Sequence, residues 1–195
     1  YATVGVPFEE RWPRFDEAVV AMRALLSGGS FTDRFYAVDR PLEPLPVQPK
    51  GPPLWVGSWG SEDGLRRAVR LGDGWLASAY NITPEQFGQL WSRVHELLDE
   101  LGRDPAEFAN GLATMWFHID DRRADDVLDK RLAPLIQRPA EQLRERLAFG
   151  SAEAVTEKLI AFRDNGVQRM FLWPVADEIV QLQRFREEVM NRLEA

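Results

Sequence analysis

The stretch Pro52-Pro53-Leu54-Trp55-Val56-Gly57-Ser58-Trp59-Gly60-Ser61 constrains this chain most. Leu54-Trp55-Val56 is a short apolar run, and two prolines stand where a strand tolerates them, at its start. Gly57 to Ser61 is a turn of mostly small residues. Ser61 or Asp63 can cap a helix whose first turn is acidic, with Glu62 and Asp63. Leu65, Ala68, Val69 and Leu71 then recur near helical spacing, with Arg66, Arg67 and Arg70 between them. Gly72-Asp73-Gly74 stops the helix, and Trp75-Leu76-Ala77 starts a second strand. The order strand, turn, helix, strand is the repeating unit of a parallel α/β sheet.

Such a turn has a chemical use. The first N–H groups of a helix lack intrahelical partners, and the helix dipole favours negative charge there. A glycine turn ahead of it therefore makes an anion site. The spacing matches neither a full dinucleotide fingerprint nor a Walker loop, so an ordinary βα connection gives the same pattern.

Composition narrows the function classes. The net charge of −7 argues against nucleic acid as the main partner. The chain holds no cysteine, which excludes disulfides and thiolate metal sites, and its two histidines, His95 and His118, stand far apart. No apolar run reaches spanning length, and a cytoplasmic protein without a signal peptide or membrane contact is expected.

Taken in order, Trp12 to Leu26 reads as an amphipathic helix with Phe15, Val19, Met22, Leu25 and Leu26 on one face. Residues 31–38 fit a small hairpin around Asp33-Arg34. Six prolines between 39 and 53 mark an extended crossing segment. Thr83-Pro84-Glu85-Gln86 is a capping box with proline at the first helical position, and its helix runs to about Leu101. His95 falls on the flank of that helix, a solvent or structural position. Residues 112–119 form a third strand, with Ala113, Met115, Phe117 and Ile119 facing one way and Thr114, Trp116 and His118 the other. Helices are expected near 122–132 and 139–148, then over 152–164 and 177–193. A fourth core strand spans 168–173. The single domain, residues 1–195, is thus a helix, a hairpin and four βα units.

Several passages resemble the bacterial luciferase-like monooxygenase family. They are Pro53-Leu54-Trp55-Val56-Gly57-Ser58-Trp59, Arg66-Arg67-Ala68-Val69-Arg70-Leu71-Gly72-Asp73-Gly74-Trp75, Gly5 to Arg11 with Arg14 to Ala18, and Gly150-Ser151-Ala152-Glu153 through Leu172-Trp173-Pro174. Their order is that of the family's C-terminal portion. The resemblance implies a (β/α)8 TIM barrel, of which this chain supplies about the second half, since a whole barrel takes about 250 residues. It implies flavin- or deazaflavin-dependent oxidation or reduction of a small organic substrate, with FMN or coenzyme F420 as cofactor. It carries the role of phosphate binding to Gly57, Ser58, Trp59 and Gly60; Ser58 replaces a glycine frequent in the family. Asp73, Gly74 and Trp75 are structural. Residues beside the flavin ring belong largely to the family's first half, so His118 and Trp116 are catalytic candidates by position alone.

Two other readings compete. A non-catalytic half-barrel would expose sheet edges and an aromatic inner face, and would associate with itself or with a partner supplying the other half. An unrelated α/β enzyme would bind a sugar phosphate at the same turn.

Overall fold

A computed structural model describes residues 1–193. A first helix, α1 (Arg11–Leu26), leads to the hairpin strands β1 (Phe31–Thr32) and β2 (Ala37–Val38). The proline-rich segment follows without regular structure. The main sheet begins at β3 (Trp55–Gly57), followed by α2 (Glu62–Leu71), β4 (Gly74–Ser78), α3 (Pro84–Glu100) and β5 (Ala109–Ile119). A helical run covers Ala124–Val127, a wider π turn Leu128–Leu132 and Ala133–Ile136; Ala140–Arg146 is a separate helix. Then come β6 (Ala148–Gly150), the helix Ala152–Asp164, β7 (Met170–Pro174) and a last helix from Glu178 that widens to a π turn over Phe185–Met190.

The caps are where the residue types place them. Ser61 accepts the Gly64 N–H at 3.2 Å, and Ser151 accepts that of Ala154 at 3.1 Å. Thr83 and Gln86 form the reciprocal capping box. Asp73 works structurally: it accepts the Leu54 N–H at 2.8 Å and pairs with Arg23 at 2.9 Å, fixing the entry of β3.

Three expectations are corrected. The main sheet has five parallel strands, not four, because the three-residue β6 escapes notice inside a charged, helical stretch. The expected helix 139–148 stops at Arg146, and its last residue, Ala148, opens that strand. Met22 is exposed, and Val19 and Ala21 are the buried residues of α1. Among the described residues the sheet is open rather than a closed barrel. Leu112 pairs with both Ala77 and Met170, and Phe117 with both Ala148 and Pro174. Hence β4 and β6 follow one another along one edge of β5, and β7 lies on the other.

The core fills the layer between sheet and helices. Trp75 is fully buried; its ring stacks on Phe87 at 5.1 Å and on Trp91 at 6.5 Å. Leu65, Ala68 and Val69 of α2 and Val94, Leu97 and Leu98 of α3 complete that side. No described helix is long and apolar enough to cross a membrane.

The long strand β5 departs from simple alternation. Between Leu112 and Met115, three steps along β5 match two along β7, from Met170 to Leu172. The extra residue is a β-bulge, and Thr114 carries it at φ +56°. Leu112 and Met115 are both fully buried in the core. Ala113 therefore turns away from Met115, against the expected pattern, and joins Thr114 on the opposite face.

Candidate cofactor site

A cavity of about 720 Å³ lies against that opposite face. Its walls come from the β3–α2 turn, the end of β4, the bulge of β5 and the start of α1. The volume is that of an ordinary cofactor or ligand pocket, roughly 300–1,000 Å³.

The strand–turn–helix supplies one wall as its sequence requires. Ser58 extends the pairing of β3 with β4 by donating its N–H to the Leu76 carbonyl at 3.2 Å. The Trp75 indole donates to the Ser58 carbonyl at 3.1 Å, tying the turn to the core. The Ser58 hydroxyl accepts the Gly60 N–H at 3.2 Å. That hydroxyl also lies over the first turn of α2: a Cβ on Gly64 would come within 2.2 Å of it. Glycine at 64 thus lets a serine at 58 sit against the helix N-terminus. The N–H groups of Trp59 and Ser61 have no protein partner among the described residues, and those of Glu62 and Asp63 open the helix, where none is available within it.

Charge at this end is mixed. The helix dipole and Arg67 are positive. Arg67 donates to Asp16 at 2.7 Å and lies over the Trp12 ring at 4.3 Å, a cation–π contact. Asp63 lines the cavity and opposes an anion. Glu62 is drawn off outward by Arg93 and Arg66, both at 2.8 Å, and its hydrogen bond from Arg93 holds its carboxyl below the usual range. These donors, with an apolar floor of Leu76, Ala77 and Ala113, fit a group with a phosphate at one end and a flat ring system beyond.

Of the residues expected at the cofactor, Gly57, Ser58 and Trp59 line the cavity and Gly60 does not. Gly60 has φ +95°, and a Cβ there would meet Leu90 at 2.4 Å; it shapes the turn from behind. Trp59 is 68% exposed. Trp116 lies beyond the cavity wall, tilted against Tyr80 at 5.4 Å and edge-on to Trp173 at 5.7 Å. His118 lies outside the cavity too, 1% exposed, with no hydrogen-bond partner for either ring nitrogen. Burial pushes its pKa down against the opposing pull of Asp120 and Asp177. Reading the sequence by motif misses Trp12, Phe15, Arg67, Ser78, Tyr80 and Thr114. Ser78 and Tyr80 carried a usable signal, for they follow a strand at the end where barrel sites are built; Thr114 carried none.

Residues 1–181 match the luciferase-like monooxygenase family. Uncharacterized proteins of Mycobacterium tuberculosis and Mycobacterium bovis are 29% identical over 171 residues, 83% of this chain and 57% of theirs. The chain thus spans a little over half the length of those curated relatives. Among solved structures, the monooxygenase RslO1 from Streptomyces bottropensis has a TM-score of 0.78 at 17% identity, over 98% of this chain and 64% of its own. An F420-dependent secondary alcohol dehydrogenase in complex with an F420–acetone adduct gives 0.75 at 18%, with the same coverages. A riboflavin lyase with modified FMN gives 0.71 at 12%, over 99% of this chain and 60% of its own. The structural neighbours thus include both F420 and FMN proteins. With a family match over nearly its whole length, the chain belongs to the luciferase-like monooxygenase family.

Proposed function

We propose that this chain carries the phosphate-binding half of an oxidoreductase that uses FMN or coenzyme F420, whose reduced form passes a hydride to a small organic substrate or activates dioxygen to oxidise it. The observation that carries the reading is the cavity bounded at one end by the β3–α2 turn and the first turn of α2, where the Trp59 and Ser61 N–H groups have no protein partner among the described residues. FMN and F420 neighbours among the solved structures support it. The bound cofactor would supply the redox chemistry. The chain's own residues would hold its phosphate at Gly57, Ser58 and Trp59, with Arg67 beside them, and shield the ring against Leu76 and Ala113.

Fluorescence titration tests the reading. FMN or F420 should bind, and riboflavin, which lacks the phosphate, should bind at least about tenfold more weakly, as the loss of a charge-assisted contact implies. Equal affinity for riboflavin and FMN would remove the turn from the site. Absence of binding by both FMN and F420 would overturn the function.

A second reading rests on β7. Phe171 and Trp173 are 47% and 45% exposed, and β7 pairs only with β5 among the described residues. A half-barrel that works by association would cover this face with a second copy or a partner half. Sedimentation between micromolar and high-micromolar concentration separates the cases: a concentration-dependent dimer, lost on Trp173→Glu, favours association.

A further inference from the structure

The cavity floor holds a pair of hydroxyls among apolar side chains. Ser78, the last residue of β4, and Thr114, the bulge residue of β5, place their oxygens 2.9 Å apart. Both line the cavity beside Leu76, Ala77, Tyr80 and Ala113. Thr114 holds this position at φ +56°, a conformation that β-branched residues rarely adopt. The bulge sets Ala113 beside it on the same face.

The protons in this pair can be traced. Thr114 Oγ1 is also 2.7 Å from the Ala113 carbonyl, which can only accept. Each hydroxyl has one proton. Both contacts are hydrogen bonds at once only if Thr114 donates to Ala113 and Ser78 donates to Thr114. Both protons are then spent inside the protein. Only oxygen lone pairs remain to face the cavity.

We propose that Ser78 and Thr114 form an acceptor subsite, which recognises an N–H or O–H donor on the ligand of this cavity. The subsite rests on the reading of the cavity as a ligand site, but not on which cofactor fills it. Two portions of a flavin-type ligand carry such donors: the imide N–H of the ring's pyrimidinedione edge and the hydroxyls of the sugar-alcohol chain. A purely apolar ligand gains nothing from the pair and leaves its lone pairs desolvated, which is unfavourable.

The test is a 15N–1H NMR titration of the whole chain with three probes. Uracil carries imide donors, 1,3-dimethyluracil carries none, and ribitol carries hydroxyls only. The Ser78 and Thr114 amide signals should move with uracil or ribitol, and the favoured probe should bind roughly three- to tenfold more tightly than dimethyluracil, the range of one net hydrogen bond. Uracil as the stronger probe assigns the ring edge, and ribitol assigns the sugar-alcohol chain. Ser78→Ala should abolish the preference while leaving the rest of the spectrum in place. Dimethyluracil binding as well as uracil and ribitol, no response at these residues to any probe, or a preference that survives both Ser78→Ala and Thr114→Val would each overturn the subsite. A donor preference together with failure of FMN and F420 to bind would keep the subsite and sink the cofactor reading instead.

Discussion

His118 pays for its position with two ring nitrogens that no described group satisfies. Burial lowers its pKa, so the folded protein holds it neutral. The unfolded chain takes up a proton first, near the ordinary value of about 6.5. As pH falls below that value the unfolded state gains, and stability declines until the folded pKa is also passed. Urea unfolding midpoints should therefore drop between about pH 7 and 5 in the wild type, by more than in His118→Phe. Asp120 does not confuse this window, since the Arg122 and Arg123 N–H groups hold its carboxyl at about 2. At pH 7 the phenylalanine variant should be no less stable, because it removes unpaired buried polar atoms. A variant with the full wild-type pH dependence would show that His118 is not the group responsible. His118 was visible in the sequence as a strand-end histidine; its isolation from the cavity was not, because that depends on what packs over the end of β5.

The β3–α2 element shows how two residues at a distance of six share one space. An exposed glycine inside a helix usually gains up to about 1 kcal/mol on change to alanine. At Gly64 the new Cβ would press on Ser58 Oγ and, at 2.9 Å, on Ser61 Oγ. Gly64→Ala should therefore destabilise, by about 1–3 kcal/mol, the usual range for overpacking. Adding Ser58→Gly removes the nearer obstacle and should restore part of that loss, which a double-mutant cycle in urea measures. Additive effects would mean that the two residues do not share the space. Ser61→Ala should cost about 1 kcal/mol through the lost cap, read as a lower thermal midpoint. The element itself was legible to within a residue or two, since an apolar run, a small-residue turn, a capping residue (Ser61 or Asp63) and a glycine stop all point the same way. The bulge in β5 was not: Ala113-Thr114-Met115 alternates perfectly well on paper, and only the pairing with β7 forces the extra residue out.

At the scale of the molecule, Trp75 joins the sheet to α3 through its stack with Phe87 and Trp91, and the turn to the core through its indole N–H. Trp75→Ala should cost about 3–5 kcal/mol, a large share of the 5–15 kcal/mol by which domains are ordinarily stable. The expected result is a much earlier urea transition, with the cavity lost at the same time because the Ser58 carbonyl loses its donor; Trp75→Phe should be milder. An unchanged transition would mean that the stack contributes little. The sequence by itself determined most of the alternation of strands and helices, their caps and the turn that opens the candidate site, because each rests on residues within one or two helical turns of one another, and the family, because several such local passages stand in the family's order. The tertiary structure alone decided the fifth strand, the open sheet, the retreat of Gly60 and His118 from the cavity, and the hydroxyl pair on its floor. Those depend on register between strands far apart in the chain, and a shift of one residue there turns every side chain beyond it to the other face.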